Sequence, residues 1–310
     1  MTSPPERAAL VESARQAIER GSKSFRFASR LFDRHTRERA WLLYAWCRAC
    51  DDLADGQASG HGAVAVADPE RRLRYLSEQT ERALAGKRCL DPPFDALRLV
   101  AAACALPRRF VADHLAGFAR DCAGWRPGTE EDMLSYCYQV AGAVGCLMAV
   151  VMGVSPEDEE TLDRACDLGI AFQLANIVRD LGDDRAVGRC YLPGEWLDEA
   201  GLTRADYMDP AHREKLVEMA RRLCDRVLAY EASARVGAAR LPFRSRWAVL
   251  SAARIYGAIA GKVAQRGPHA WDSRTVVPKS EKLGHVLAAA RDAVTAPPAV
   301  DRSGLWTRPR

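Results

Sequence analysis

Two segments carry the residue types and spacing that could do chemistry: Tyr44-Ala-Trp-Cys-Arg-Ala-Cys-Asp-Asp-Leu-Ala-Asp55 and Gln173-Leu-Ala-Asn-Ile-Val-Arg-Asp-Leu-Gly-Asp-Asp184. Each holds an aspartate with another four residues on. On a helix this spacing sets Asp51 beside Asp55, and Asp180 beside Asp184, with Cβ atoms roughly 5–6 Å apart. Asn176 lies one turn before Asp180 and extends the second oxygen row. Carboxylates so placed repel each other unless a cation sits between them. Hard oxygen donors suit Mg2+, which binds through one or two carboxylates plus substrate phosphates, and the same donors suit Mn2+. Acidic i,i+4 pairs are often solvated helix faces, and either segment alone favours that plain reading. Here, however, both rows lie among Trp41, Trp46, Ile170, Phe172, Ile177 and Val178. Carboxylates near a core without partners cost several kcal/mol per ion, so a bound cation is the better account.

Each row has an arginine close by, Arg48 one turn before Asp51 and Arg179 directly before Asp180. Guanidinium forks match phosphate oxygens, although each could equally pair with its neighbouring aspartates. Gly21-Ser-Lys-Ser-Phe25 offers two hydroxyls and an ammonium, a weaker phosphate cradle, since many helix starts look like it.

The elements that must position these groups read as helices. The stretches Thr80 to Ala85, Ala96 to Ala105, Arg213 to Ala239 and Arg246 to Gln265 are rich in Ala, Leu and Arg and poor in β-branched runs. Breaks fall at Gly56 to Pro69, Gly124 to Gly128, Gly188 to Pro193 and Gly267 to Pro278, and a Pro-rich tail begins at Ala296. The expected architecture is all-α, with residues 1–295 as one domain and 296–310 as a C-terminal tail. Trp306 in that tail could anchor at a membrane interface, and the preferred expectation is that it folds back onto the surface. The uncharged run from Met133 to Pro156 is long enough to span a bilayer, but it carries Tyr136, Tyr138, Gln139, Gly142 and Gly145. A buried helix lining an apolar cavity is therefore preferred.

Composition narrows the partners. At 310 residues and 48% hydrophobic, the chain can bury a large core. Its charge of +4 comes from 45 basic and 41 acidic residues that lie scattered, which argues against nucleic-acid binding. The excess fits phosphate ligands or an anionic lipid surface. Ten cysteines with no apolar leader read as reduced cytosolic thiols, and the Cys47/Cys50 pair as core residues rather than a zinc or redox site.

In combination, the ordered motifs resemble the squalene/phytoene synthase family, and its phytoene-forming members in particular. They are Gly-Ser-Lys-Ser-Phe at 21–25, Leu-Tyr-Ala-Trp-Cys-Arg ending at Arg48, Asp-Asp-x-x-Asp at 51–55 and Tyr-Cys-Tyr-x-Val-Ala-Gly from Tyr136. They continue with Asp163-Arg-Ala-Cys-Asp-Leu-Gly169, Ala-Phe-Gln-Leu from Ala171, Asn-Ile-x-Arg-Asp from Asn176, Gly-Arg-Cys-Tyr-Leu-Pro from Gly188, and Tyr256. The resemblance implies a helical bundle of the isoprenoid synthase type around a central cavity, with two facing aspartate-rich motifs at its mouth. By that similarity Asp51, Asp55, Asn176, Asp180 and Asp184 would hold magnesium. Ser22, Lys23, Ser24, Phe25, Tyr44, Arg48, Val140, Gln173, Arg179, Tyr256 and Arg274 would meet the substrate. Tyr44, Tyr136 and Tyr256 would border the reacting carbons.

The implied reaction joins two geranylgeranyl diphosphates head to head through a cyclopropyl diphosphate and releases two pyrophosphates. The implied setting is cytoplasmic with reversible attachment to a membrane surface, and a downstream desaturase would take the product. One departure is visible: Gly56 follows Asp55 where many relatives place a second acid. The rival expectations are a squalene or dehydrosqualene synthase using farnesyl diphosphate, and a non-catalytic membrane-associated assembly protein.

Overall fold

In the computed structural model, residues 3–21, 23–55 and 68–310 are described, with backbone alone at 23, 24, 54 and 55. Among the described residues every regular element is helical. The N-terminal half contains α1 (Pro4–Gly21), α2 (Lys23–Ser29), α3 (Arg34–Asp55), α4 (Pro69–Leu84), α5 (Pro92–Cys104) and α6 (Arg108–Cys122). Next come α7 (Glu130–Cys137), a π-turn (Tyr138–Gly142), α8 (Ala143–Val151) and α9 (Glu159–Ala186). The last elements are α10 (Gly194–Glu199), α11 (Arg213–Ala238), α12 (Phe243–Arg266) and α13 (Lys279–Val294).

Local sequence explains where the helices that build the site begin. Thr129 accepts from the Asp132 backbone N–H while the Asp132 side chain accepts from Thr129, a capping box that starts α7. The Asp158 carboxylate accepts from the Thr161 N–H and starts α9. Pro69 and Pro92, in the first turns of α4 and α5, lack the N–H that a first turn leaves unpaired.

The expected helices all form, and the one over 80–85 proves to be the end of a longer element. The uncharged run takes in α7 from Met133, the π-turn, α8 and the turn that follows it. Glu130–Val151 is long and apolar enough to cross a membrane, yet most of it is buried within the fold. Its packing depends on glycines. A Cβ at Gly169 of α9 would collide with the Ala141 carbonyl of the π-turn, and one at Gly145 with the Ala165 carbonyl of α9. Only hydrogen fits at these points, so two long elements touch backbone to backbone.

The tail folds back, as expected of Trp306. Residues beyond Ala296 fold back onto α9, and the Arg308 side chain is completely buried. Cys47 and Cys50 are buried free thiols, as expected of core residues, and burial pushes both well above the ordinary thiol range.

Candidate active site

A cavity of about 310 Å³ runs between α2, α3, the π-turn, α8, α9 and α12. Its walls are mostly apolar, through Leu43, Val144, Met148, Leu168 and Val249, with Arg48, Asp51, Gln173 and Asn176 among the polar groups and Thr161, Arg164 and His114 elsewhere in the lining. That is the usual composition of a small-molecule site, and the volume lies within the usual range. Eight of the expected residues line it together: Phe25, Tyr44, Arg48, Asp51, Val140, Gln173, Asn176 and Tyr256.

The wall from α3 presents Tyr44, Arg48 and Asp51 on one helical stripe. The Arg48 guanidinium donates to the Tyr44 hydroxyl at 3.3 Å and pairs with Asp51 at 3.2 Å. The Phe25 ring from α2 lies 5.4 Å from the Tyr44 ring. Opposite, α9 brings Gln173 and Asn176 to the cavity, while Arg179, Asp180 and Asp184, expected at the site, follow on the same helix and do not line it. Arg179 donates to both carboxylate oxygens of Asp180, one at 2.7 Å. The local pairing expected as the alternative role of both arginines is therefore present.

Tyr256 of α12 joins the two walls. Its ring stacks on Phe172 of α9 with centroids 4.1 Å apart. Burial raises its hydroxyl pKa, while Arg179 and Arg48 act in the opposite direction, so guanidinium groups from both walls face this one phenol. Arg274, in the turn before α13, bridges Asp180 and Asp183, each at 3.1 Å, and braces the acidic row.

Asp184 is held up at about 7, first by burial and then by Asp180, with Arg189 acting against the rise and Asp183 and Asp121 adding to it. A carboxylate crowded in this way by other carboxylates fits a site that takes up cations. Among the described residues no three acidic, imidazole or thiol groups are close enough to hold a metal ion by themselves. One or two carboxylates that share an ion with phosphate oxygens is the arrangement these walls provide. Ser22 and the side chains of Lys23, Ser24 and Asp55, all expected at the site, lie outside the described residues.

Tyr136 departs from its expected position. It does not line the cavity. Its ring stacks between Trp125 and Tyr191, and its hydroxyl donates to Asp121 at 2.9 Å. The Tyr191 hydroxyl donates to the same carboxylate at 3.1 Å. Asp121 bears on Asp184, so this tyrosine–carboxylate group backs the second acidic row instead of bordering the cavity. Asp121 has no acid four residues away in either direction, and no spacing signal pointed to it.

His114 was also not singled out from the sequence, yet it lines the cavity. It is buried edge-on against Trp46 and Phe118, and its Nδ1 is 3.2 Å from the Gln139 carbonyl. Burial pushes its pKa down to about 4, so the ring is neutral at physiological pH.

An all-α bundle around an apolar cavity, closed at one end by paired acidic and guanidinium groups, defines an isoprenoid synthase. Residues 18–281 match the squalene/phytoene synthase family. The chain is 45% identical over 307 residues to a 15-cis-phytoene synthase of Pantoea ananas, covering 97% of this chain and 98% of that one. It is 46% identical over 303 residues to the corresponding enzyme of a Paracoccus species, covering 97% and 98%. A dehydrosqualene synthase crystal structure superposes with a TM-score of 0.82 at 25% identity, covering 93% of this chain and 97% of the other. The squalene synthase HpnC from Alicyclobacillus acidocaldarius superposes at 0.75 with 26% identity, covering 86% and 97%. The chain belongs to the squalene/phytoene synthase family.

Proposed function

We propose that the chain condenses two geranylgeranyl diphosphates head to head into phytoene through prephytoene diphosphate, as a step of carotenoid biosynthesis. The observation that carries this reading is the single cavity that brings Arg48 and Asp51 of α3 together with Gln173 and Asn176 of α9 over an apolar interior. Near full-length identity to phytoene synthases supports the choice of substrate.

The first step breaks an allylic C–O bond, and negative charge grows on the departing diphosphate. Groups that meet this charge only as it develops lower the barrier. Arg48, Arg179 and Gln173 would donate to its oxygens, and the family resemblance assigns the same work to Ser22, Lys23 and Ser24. The acidic rows, Asp51 and Asp55 with Asn176, Asp180 and Asp184, would hold magnesium, or manganese in its place, which would supply positive charge to the leaving group.

The apolar walls exclude water from the allylic cation and press the second prenyl double bond against it. Val140 and the small residues Ala141 and Gly145 give the chains room and offer no nucleophile. Tyr44 and Tyr256 both line the cavity and would stabilise a cation through their rings or position the departing diphosphate. Attack by the second prenyl double bond and loss of one proton close the cyclopropyl diphosphate; its own C–O bond then breaks, releasing the second pyrophosphate, and loss of a second proton from the rearranged cation gives the conjugated triene, with no hydride required.

Product analysis with farnesyl and geranylgeranyl diphosphates, with and without NADPH, tests the reading. The expected result is a forty-carbon triene that needs no nicotinamide. A hydride-dependent thirty-carbon product would assign the chain to the squalene branch instead, and no pyrophosphate release from either substrate would favour the assembly-protein reading.

The large hydrocarbon product calls for a lipid sink, so the chain works at the cytoplasmic face of a membrane and passes phytoene to a desaturase there. Leu283, Leu287 and Val294 support this. They fall within a narrow arc of α13 and are 53%, 63% and 72% exposed, with exposed Lys279 and Arg291 on the same helix. Flotation with anionic vesicles is expected to carry the chain upward and to fail for the Leu283→Glu/Leu287→Glu variant. Co-migration of that variant would remove this face from the account.

A further inference from the structure

Residues 296–310 return across the side of α9 that faces away from the cavity. Arg302 meets Asp167 through two hydrogen bonds of 2.8 Å, and the Asp167 side chain is completely buried. Two residues further along α9 is Gly169, where a Cβ would collide with the backbone of Ala141 and come within 2.6 Å of the Gly142 Cα. On the other side of this contact, Trp306 lays its ring against Tyr138, the first residue of the π-turn, with centroids 5.6 Å apart. The Trp306 carbonyl accepts from the same Arg302 guanidinium at 2.9 Å, and its N–H donates to the Tyr230 hydroxyl at 3.1 Å. A short piece of tail thus grips both partners of a backbone-to-backbone contact, one through an ion pair and the other through an aromatic face.

The inner side of that contact is cavity wall, formed by Val140, Ala141, Gly169 and Phe172. Where two elements meet with no side chain between them, no spacer sets their separation, and the parts pressing from outside must do so. Close-packed interiors transmit such pressure as rigid-body shifts, and a displacement of about 1 Å at a site can cost 10²-fold in rate.

We infer that Arg302 and Trp306 are positioning residues that set the width of the prenyl cavity, and through it the preference for chain length, by clamping α9 to the π-turn from outside. The inference rests on the prenyl diphosphate reading above. Neither residue touches substrate, so a change in chain-length preference must travel through Asp167 and Tyr138 to the wall.

The test measures kcat and KM of the full chain with fifteen-, twenty- and twenty-five-carbon diphosphates. Arg302→Ala strands a buried carboxylate and can unfold the chain. The informative variants are therefore the near-isosteric pair Arg302→Gln/Asp167→Asn, Arg302→Lys, and Trp306→Leu, which leaves every charge in place. The expected result is that Trp306→Leu and the double variant lose about tenfold of the preference for twenty carbons over its neighbours, within what one pocket wall commands. Arg302→Lys, which keeps the charge on Asp167, is expected to keep most of that preference. Variants that melt earlier yet keep the preference of the unaltered chain would overturn the inference and leave the clamp a purely structural staple.

Should the unaltered chain turn over none of the three diphosphates, the proposed function fails and the clamp is read by amide hydrogen exchange instead. Faster exchange at Ala141, Gly142 and Gly169 in Trp306→Leu supports clamping, and unchanged exchange there overturns it.

Discussion

α9 carries two acidic rows with the same spacing and opposite fates. Toward its C-terminus, Asp180 and Asp184 belong to the site end of the helix, where Arg179 and Arg274 meet Asp180 and the Asp184 carboxylate is crowded to about 7. Toward its N-terminus, Glu159, Asp163 and Asp167 are met by arginines from the folded-back tail. Arg302 takes Asp167, while Arg308 and Arg310 both take Asp163 and Glu159. The tail meets every acid of one row, and in the other Arg179 and Arg274 meet Asp180 while burial and neighbouring carboxylates keep Asp184 raised. Acids at i,i+4 on a helix announce a need for cations, and only the rest of the chain decides whether the protein or a ligand supplies them.

The largest effect should come from breaking the outer row. Arg308→Ala leaves Asp163 without its buried partner, and removing one member of such a pair costs about 3–5 kcal/mol. Urea unfolding is expected to show this loss, with activity per folded molecule reduced far less. The converse change is Asp180→Asn, for which pyrophosphate release should fall about 10²–10³-fold, the usual effect of removing one preorganised charge contact. Its unfolding midpoint should fall less than that of Arg308→Ala, because relief of repulsion at Asp184 offsets part of what the mostly buried Arg179 loses. If both substitutions lowered stability and left turnover intact, the contrast between the rows would collapse.

Acid sharpens the comparison. Glu159 is held down at about 2, first by the hydrogen bond from Arg109 and then by Arg308, so this member of the outer row stays ionised as pH falls to 5. His114 behaves differently, because its pKa in the folded chain, about 4, lies below the ordinary imidazole value. The unfolded chain binds the extra proton first, so this stability is present above about pH 6.5 and is lost as pH falls toward 4. The loss should reach about 2 kcal/mol at pH 5. Denaturation of His114→Phe across the same range is expected to be flatter, and an unchanged slope would point to other groups.

Arg274→Ala should have the smallest effect. Arg274 is 56% exposed, so its ion pairs with Asp180 and Asp183 are worth no more than about 1 kcal/mol. A modest rise in KM with unchanged stability is expected, and a large loss of kcat would place Arg274 on the reacting diphosphate itself.

Much of the site was legible before any coordinates. The aspartate pairs stood out because acids at helical spacing among tryptophans and isoleucines are costly, and Asn176, Arg48 and Arg179 were readable as their neighbours one turn or one residue away. The uncharged run was readable as buried because its tyrosines and glutamine would be poorly served by lipid. The Tyr136–Asp121–Tyr191 group was not, since its members lie 15 and 70 positions apart and only packing of α6 and α7 against the loop after α9 unites them. His114 escaped for a related reason: one imidazole on an apolar helix face carries no periodic signal.

From its residues alone, the chain established an all-α architecture, two cation-seeking rows and an apolar interior, because helix period and the cost of lone charges act over a few residues. Tertiary structure decided which acids of α9 meet the tail and which do not. Asp163/Asp167 and Asp180/Asp184 share one spacing on one helix. Their difference comes from arginines of the C-terminal tail, which the fold brings to the first pair, while Asp180 of the second meets Arg179 beside it and Arg274 from the turn before α13.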